Sequence, residues 1–213
     1  MIRRIRTLFF SLFLILCVAL SAGCTSVRTA DTHNTTTAVQ SYNAWVGKQQ
    51  ATDQTARSTI ALIAMHVSTY NTEIVKNTPD LSELRGNLAL DQQGLDQWGS
   101  DLGALSAATD QFEKETLSLT YDNTSTVQTR ATLGQMTQYM RIYGIDRENA
   151  RQHLLEYVSN AKAYITPDDP DYWNDKLRQG AVQAKGLAQD ALTGGDSALG
   201  NLTLAAVQLE KLQ

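Results

Sequence analysis

The feature that most restricts this chain is a set of apolar seams stepping by three and four residues, cut into four arms of nearly equal length by turn signals near residues 35, 79, 123 and 170. In the first arm Val39, Tyr42, Val46, Gln49, Asp53, Ala56, Ile60, Ile63, Val67, Tyr70 and Ile74 form an unbroken heptad series, apolar at 9 of 11 places. Residues three and four apart lie one above the other on a helix, so this spacing makes a stripe along one side of it. The series stops at Asn77-Thr78-Pro79, where Pro79 is expected to open the next helix with Thr78 as its cap.

The second arm runs through Leu81, Leu84, Leu88, Asp91, Leu95, Trp98, Leu102, Leu105, Thr109, Phe112, Thr116 and Leu119 to the turn-forming Tyr121-Asp122-Asn123. The third carries Leu133, Met136, Met140, Tyr143, Arg147, Ala150, Leu154, Tyr157, Ala161 and Tyr164, then meets Thr166-Pro167-Asp168-Asp169-Pro170. Asp169 before Pro170 is a start signal, a capping carboxylate ahead of a residue whose φ is already helical. The fourth has a thinner seam of Trp173, Leu177, Ala181, Ala184, Leu187 and Ala191, then Leu199, Leu202, Val207, Leu209 and Leu212. No stretch alternates apolar and polar residues between turn signals, so no strand is expected. Equal arms joined by short turns predict an all-α fold over residues 35–213, an elongated up-down-up-down four-helix bundle about 65 Å long. The same seams could also pair between chains as a coiled coil, which leaves a homo-oligomer open.

Gly144-Ile145-Asp146 and Gly194-Gly195-Asp196 read as stop-and-restart signals, so breaks are expected in the third and fourth helices. The polar seam residues Gln49 and Asp53, and the Trp98-Gly99 pair, fall near the same level of the bundle. That coincidence suggests a mid-bundle pocket in which Asp53 faces Arg147, flanked by Trp98 and Tyr143, because small-molecule sites in bundles lie between helices. Polar seam residues that only set helix register would explain the same pattern.

The N-terminus is of another kind. Arg3, Arg4 and Arg6 precede a charge-free, mostly apolar run from Thr7 to Leu20, whose length suits a signal-peptide core rather than a membrane span. The run closes on Leu20-Ser21-Ala22-Gly23-Cys24, which resembles the lipobox of prokaryotic lipoproteins, with Ser21 where that family usually has Leu. The resemblance covers residues 1–24 alone. It implies a signal peptide over residues 1–23, lipidation of Cys24 as the first mature residue, and attachment to a membrane outside the cytoplasm. In a Gram-negative host, Thr25 after the Cys implies the outer membrane; in other prokaryotes the anchor implies the outer face of the cytoplasmic membrane. Residues 24–34 then read as the lipidated Cys and a small, polar, flexible tether.

Without residues 1–23 the chain keeps 190 residues, with 15 basic and 22 acidic side chains and a formal charge of −7. That sign argues against nucleic acid and against charge-driven binding to anionic lipid, so the anchor is the expected membrane contact. Cys17 lies in the signal core and Cys24 carries lipid, which leaves no disulfide for the bundle. His33, His66 and His153 are scattered without metal-ligand spacing, so no metal or cofactor is expected, and His66 reads as ordinary helix surface or core. Gly195-Asp196-Ser197 resembles the nucleophile stretch of Gly-Asp-Ser hydrolases, yet no sheet is in prospect to present it, and Asp196 or Ser197 is expected to cap a helix. No nucleophile, base and orienting group assemble, so no enzyme is expected. Asn34, Asn123 and Asn201 each open an Asn-x-Ser/Thr triplet, an acceptor in a host that glycosylates. These features together imply a lipid-anchored envelope protein with a structural or protein-interaction role, its partner another envelope protein. The alternative is a ligand-binding or sensory bundle, similar in architecture alone to the four-helix ligand domains of chemoreceptors.

Overall fold

The computed structural model describes residues 31–73, 76, 80–118, 124–165 and 170–211. They form four helices, α1 Asp31–Glu73, α2 Leu81–Leu117, α3 Thr124–Tyr164 and α4 Pro170–Lys211, with no strand among the described residues. The helices hold 43, 37, 41 and 42 residues, so the arms are as equal as their turn signals indicated. Cys24 and the lipobox stretch lie outside the described residues, as does Asn123. The chain divides after His33 into two compact units. In the first, only the opening turn of α1 is described; the second is Asn34–Gln213.

Contacts between successive helices run antiparallel. Trp45 and His66 of α1 meet Thr109 and Asp91 of α2. Gln92 and Glu113 of α2 meet Lys162 and Arg141 of α3. Arg147 of α3 meets Asp196 of α4, while the Tyr157 ring lies against Gly180. In each pair residue numbers rise on one helix as they fall on the other, which is the up-down-up-down order of a four-helix bundle.

Helix ends differ from expectation in two places. Asp80, not Thr78, caps α2: its carboxylate accepts from the backbone N–H groups of Ser82 and Glu83, each at 3.0 Å. Glu73 ties this corner together by accepting from the Asp80 N–H at 3.0 Å and pairing with Lys76. At the other end α1 begins at Asp31, so residues 31–34 of the expected tether are helical. Those four positions hold no Gly or Pro to stop a helix.

The expected breaks are absent. α3 runs unbroken through Gly144 and α4 through Gly194-Gly195. A glycine costs a helix interior only about 1 kcal/mol relative to alanine, which packing against neighbouring helices overrides.

The buried stripes follow the expected seams on α2 and α3 and depart from them on α1 and α4. On α2 every expected seam position from Leu84 to Thr116 is buried. On α1, Trp45, Thr52, Thr59, His66 and Glu73 are buried where Val46, Asp53, Ile60 and Val67 were expected, and Val46, Ile60 and Val67 pack half-buried against the core. Gln49, Ala56, Ile63 and Tyr70 are buried as expected, and only the alternate places shift by one position, because the polar side chains there have partners. Thr52 donates to the Asp101 carbonyl at 3.4 Å, Thr59 sits over the bare backbone of Gly94, and His66 meets Asp91. On α4 the core side is Ala184, Ala188, Ala198, Leu202 and Ala205, while Leu187 is exposed. Small side chains let α4 approach α3 more closely than any other helix pair approaches.

Candidate functional site

The site built by the seam's polar interruptions centres on Arg147 of α3, which is 3% exposed. Each of its three guanidinium nitrogens has a protein partner. Nε donates to Asp53 Oδ1 of α1 at 3.0 Å, Nη1 to the Leu192 carbonyl of α4 at 2.9 Å, and Nη2 to Asp196 Oδ1 at 2.5 Å. The flat face of the group lies 4.5 Å from the ring centroid of Tyr143, a cation–π contact. Asp53 is engaged through both oxygens: Oδ1 also accepts from the Tyr143 hydroxyl at 2.6 Å, and Oδ2 accepts from Gln49 Nε2 at 2.7 Å. The Trp45 ring stands edge-on to Tyr143 at 5.7 Å and donates its indole N–H to Thr109 of α2 at 2.9 Å. This layer therefore joins all four helices.

Its electrostatics favour a permanent ion pair. Burial opposes the charge on Arg147, but Tyr143, Asp196 and Asp53 outweigh burial and hold its pKa above the ordinary guanidinium value. Burial above all pushes the Tyr143 hydroxyl well above the usual phenol range, so it serves as a neutral donor to Asp53. A buried charge is costly unless paired and hydrogen-bonded, and here both conditions hold.

Gly194 and Gly195 make the layer possible. A Cβ at Gly194 would stand 2.7 Å from Asp146 Oδ2, and one at Gly195 would stand 2.8 Å from Arg147 Nη1. The glycines are the floor on which two side chains of α3 cross the backbone of α4, rather than a helix stop. Asp196 is accordingly a partner of Arg147, not a cap, and Ser197 donates to the Thr193 carbonyl within the same unbroken helix at 3.0 Å. A Cβ at Gly144 would meet nothing within 4 Å, and nothing in the structure explains that glycine.

A second polar cluster lies closer to the α1–α2 turn. His66 Nδ1 is 2.6 Å from Asp91 Oδ1, and the Tyr70 hydroxyl donates to Asp91 Oδ2 at 3.3 Å. His66, Tyr70 and Asp91 are all buried, with Tyr157 of α3 alongside, its hydroxyl without a hydrogen-bond partner. Desolvation is the main force on Asp91 and raises its pKa, against the opposing pull of His66 and the Tyr70 hydroxyl. His66, read from sequence as ordinary helix, is thus half of a buried acid–imidazole pair.

Of the residues expected to form a mid-bundle pocket, Asp53, Tyr143 and Arg147 come together in direct contact with one another. Trp98 is fully buried, yet its indole N–H has no partner, and the ring that meets Tyr143 belongs to Trp45. Sequence reasoning missed Trp45 and did not connect Asp196 with Arg147, although both acidic and basic residues lie at one level of the bundle. The surface has open grooves elsewhere. One of about 580 Å³ lies beside Leu62, Leu90 and Gly94, and one of about 340 Å³ lies between Leu117, Leu133 and Ile142. None of Asp53, Trp98, Tyr143 and Arg147 lines either. Asn201 is exposed on α4 and Asn34 lies in the first turns of α1. Among the described residues no three His, Cys, Asp or Glu side chains group as a metal site. No protein-family model, curated protein or solved structure matches this chain.

The glycine floor predicts opposite signs for one kind of substitution on one helix. Gly200→Ala, where an added Cβ meets nothing within 4 Å, should stabilise by about 1 kcal/mol. Gly195→Ala should destabilise by about 1–3 kcal/mol, because the guanidinium must move. Urea denaturation measures both, and a stabilising Gly195→Ala would remove the floor from the account.

For Asp91, carboxyl NMR should place the folded midpoint above the ordinary 3.8. Folding then favours the protonated acid, so the stability tied to that proton is complete below the unfolded value and is lost as pH rises through the folded one. A folded midpoint at or below 3.8 would contradict burial as the dominant cause.

Proposed function

We propose that this protein is a lipid-anchored, extracytoplasmic helical bundle with a non-catalytic structural or protein-interaction role in the cell envelope. Its membrane contact is the lipid on Cys24, and its partner is another envelope protein. The observation that carries the role is the saturation of the Asp53–Arg147 layer by the protein's own groups. Three guanidinium nitrogens and both carboxylate oxygens are already occupied, so a ligand entering there would first have to break a buried ion pair. That weighs against the alternative of a mid-bundle ligand pocket and in favour of polar residues that hold helices in register.

The anchor rests on the lipobox resemblance at residues 20–24, and the acidic body supplies no second means of holding a membrane. No described helix is long and apolar enough to cross one.

Cell fractionation tests the reading. Wild-type protein should sediment with the membrane, while Cys24→Ala should appear in the soluble extracytoplasmic fraction with an unchanged thermal midpoint. Continued membrane association of Cys24→Ala would sink the anchor.

A further inference from the structure

We propose that α4 is a releasable strap, a helix that opens as a unit from a remainder of α1, α2 and α3 while that remainder stays folded. The first ground is what each helix buries. Among the described side chains, α2 places Leu84, Leu88, Leu95, Trp98, Leu105 and Phe112 in the core, while α4 places four alanines and Leu202 there, with Leu192, Leu199 and Leu209 half-buried against it. An alanine removes one methyl from water where a leucine removes a whole branched side chain, so α4 draws far less from burial per turn. Close approach to α3 adds dispersion contacts but little apolar area.

The second ground is the helix itself. α4 carries five glycines, at 180, 186, 194, 195 and 200, against one in α1 and two in α3. α2 has four, but its large core side chains offset them. Each glycine favours the unfolded segment, and among the described side chains α4 opposes that preference mainly with alanines.

The third ground is how the polar ties are distributed. Trp45–Thr109, Asp53–Arg147, Tyr143–Asp53 and His66–Asp91 all lie within α1, α2 and α3. The Arg147 ion pair to α4 ends on Asp196, whose side chain is 70% exposed. Opening breaks the bonds from Arg147 to the Leu192 carbonyl and to Asp196 but strands no buried charge: Arg147 keeps Asp53 and Tyr143, water replaces the Leu192 carbonyl, and Asp196 is already largely in water. The Tyr157 hydroxyl, which has no hydrogen-bond partner among the described residues and lies beside Gly180, gains water. A strap of this kind gives the bundle two states separated by less than global unfolding.

Native-state hydrogen exchange on the full chain tests this without any ligand. In the wild type the slowest α4 amides should exchange at least roughly tenfold faster than the slowest amides of α1, α2 and α3; equal rates would overturn the proposal. The paired variant Gly47→Ala/Gly134→Ala, where an added Cβ meets nothing within 4 Å, stabilises the remainder alone. It should slow the slowest α1, α2 and α3 amides by roughly 15- to 30-fold and leave α4 unchanged. If α4 slowed in step with them, the bundle would be one cooperative unit and the strap would not exist. Gly186→Ala/Gly200→Ala, equally free of contacts, is the control, since it stabilises the closed state and should slow α4 by a similar factor.

Discussion

The guanidinium of Arg147 is the constraint on which the bundle's arrangement rests. A cation in this position tolerates burial only if partners reach it, and they come from three directions: Asp53 of α1, Tyr143 of its own helix, and Leu192 and Asp196 of α4. Sliding α1 by one heptad against α3 would leave the charge opposite Val46 or Ile60, and sliding α4 would replace Asp196 with Gln189 or Thr203 and the Gly195 floor with Ala188 or Leu202. The alanine and leucine seams alone would tolerate such a slip far better, because heptads repeat. The polar layer thus supplies specificity that apolar packing lacks, as a single polar core position does in coiled coils. His66–Asp91 does the same for α1 and α2 at a second level, while Trp45–Thr109 ties α2 into the first.

How much of this was legible in the sequence varies with the side chains involved. The α2 seam could be read in full because its buried positions are leucines and aromatics, interrupted by single polar residues. On α1 the expected places Gln49, Ala56, Ile63 and Tyr70 are buried, but the alternate places shift by one position because Thr52, Thr59 and His66 are core residues that hydrophobicity does not mark, while Val46, Ile60 and Val67 beside them are apolar and only half-buried. On α4 the same bias favoured Leu187 over Ala188, although close packing on α3 selects the smaller side chain. The glycines were misread for a related reason. A Gly-Gly-Asp run marks a helix stop when only local propensity is weighed, and what decides its use here is the side chain that crosses it from another helix.

The site was half legible. Asp53 and Arg147 stood out as charged residues on otherwise apolar seams at one level, and they do pair. Their partner Asp196 was hidden by its place after two glycines, where a cap was the simpler account. His66 and Asp91 lie at nearly equal distances on either side of Pro79, a symmetry that antiparallel pairing turns into contact. That signal was present, but it acquires meaning only once the first two helices are known to be neighbours. The residues expected around a pocket contact one another directly, for a physical reason: opposite charges on facing helices close on each other unless something holds them apart.

The central claim, that Asp53 and Arg147 act as one buried cross-link rather than as two walls of a binding site, is tested most directly by a double-mutant cycle on folding stability. Asp53→Ala, Arg147→Met and the double variant, measured by urea denaturation against wild type, should give a coupling energy of about 1.5–3 kcal/mol. Single-variant effects that add within about 0.5 kcal/mol would contradict it.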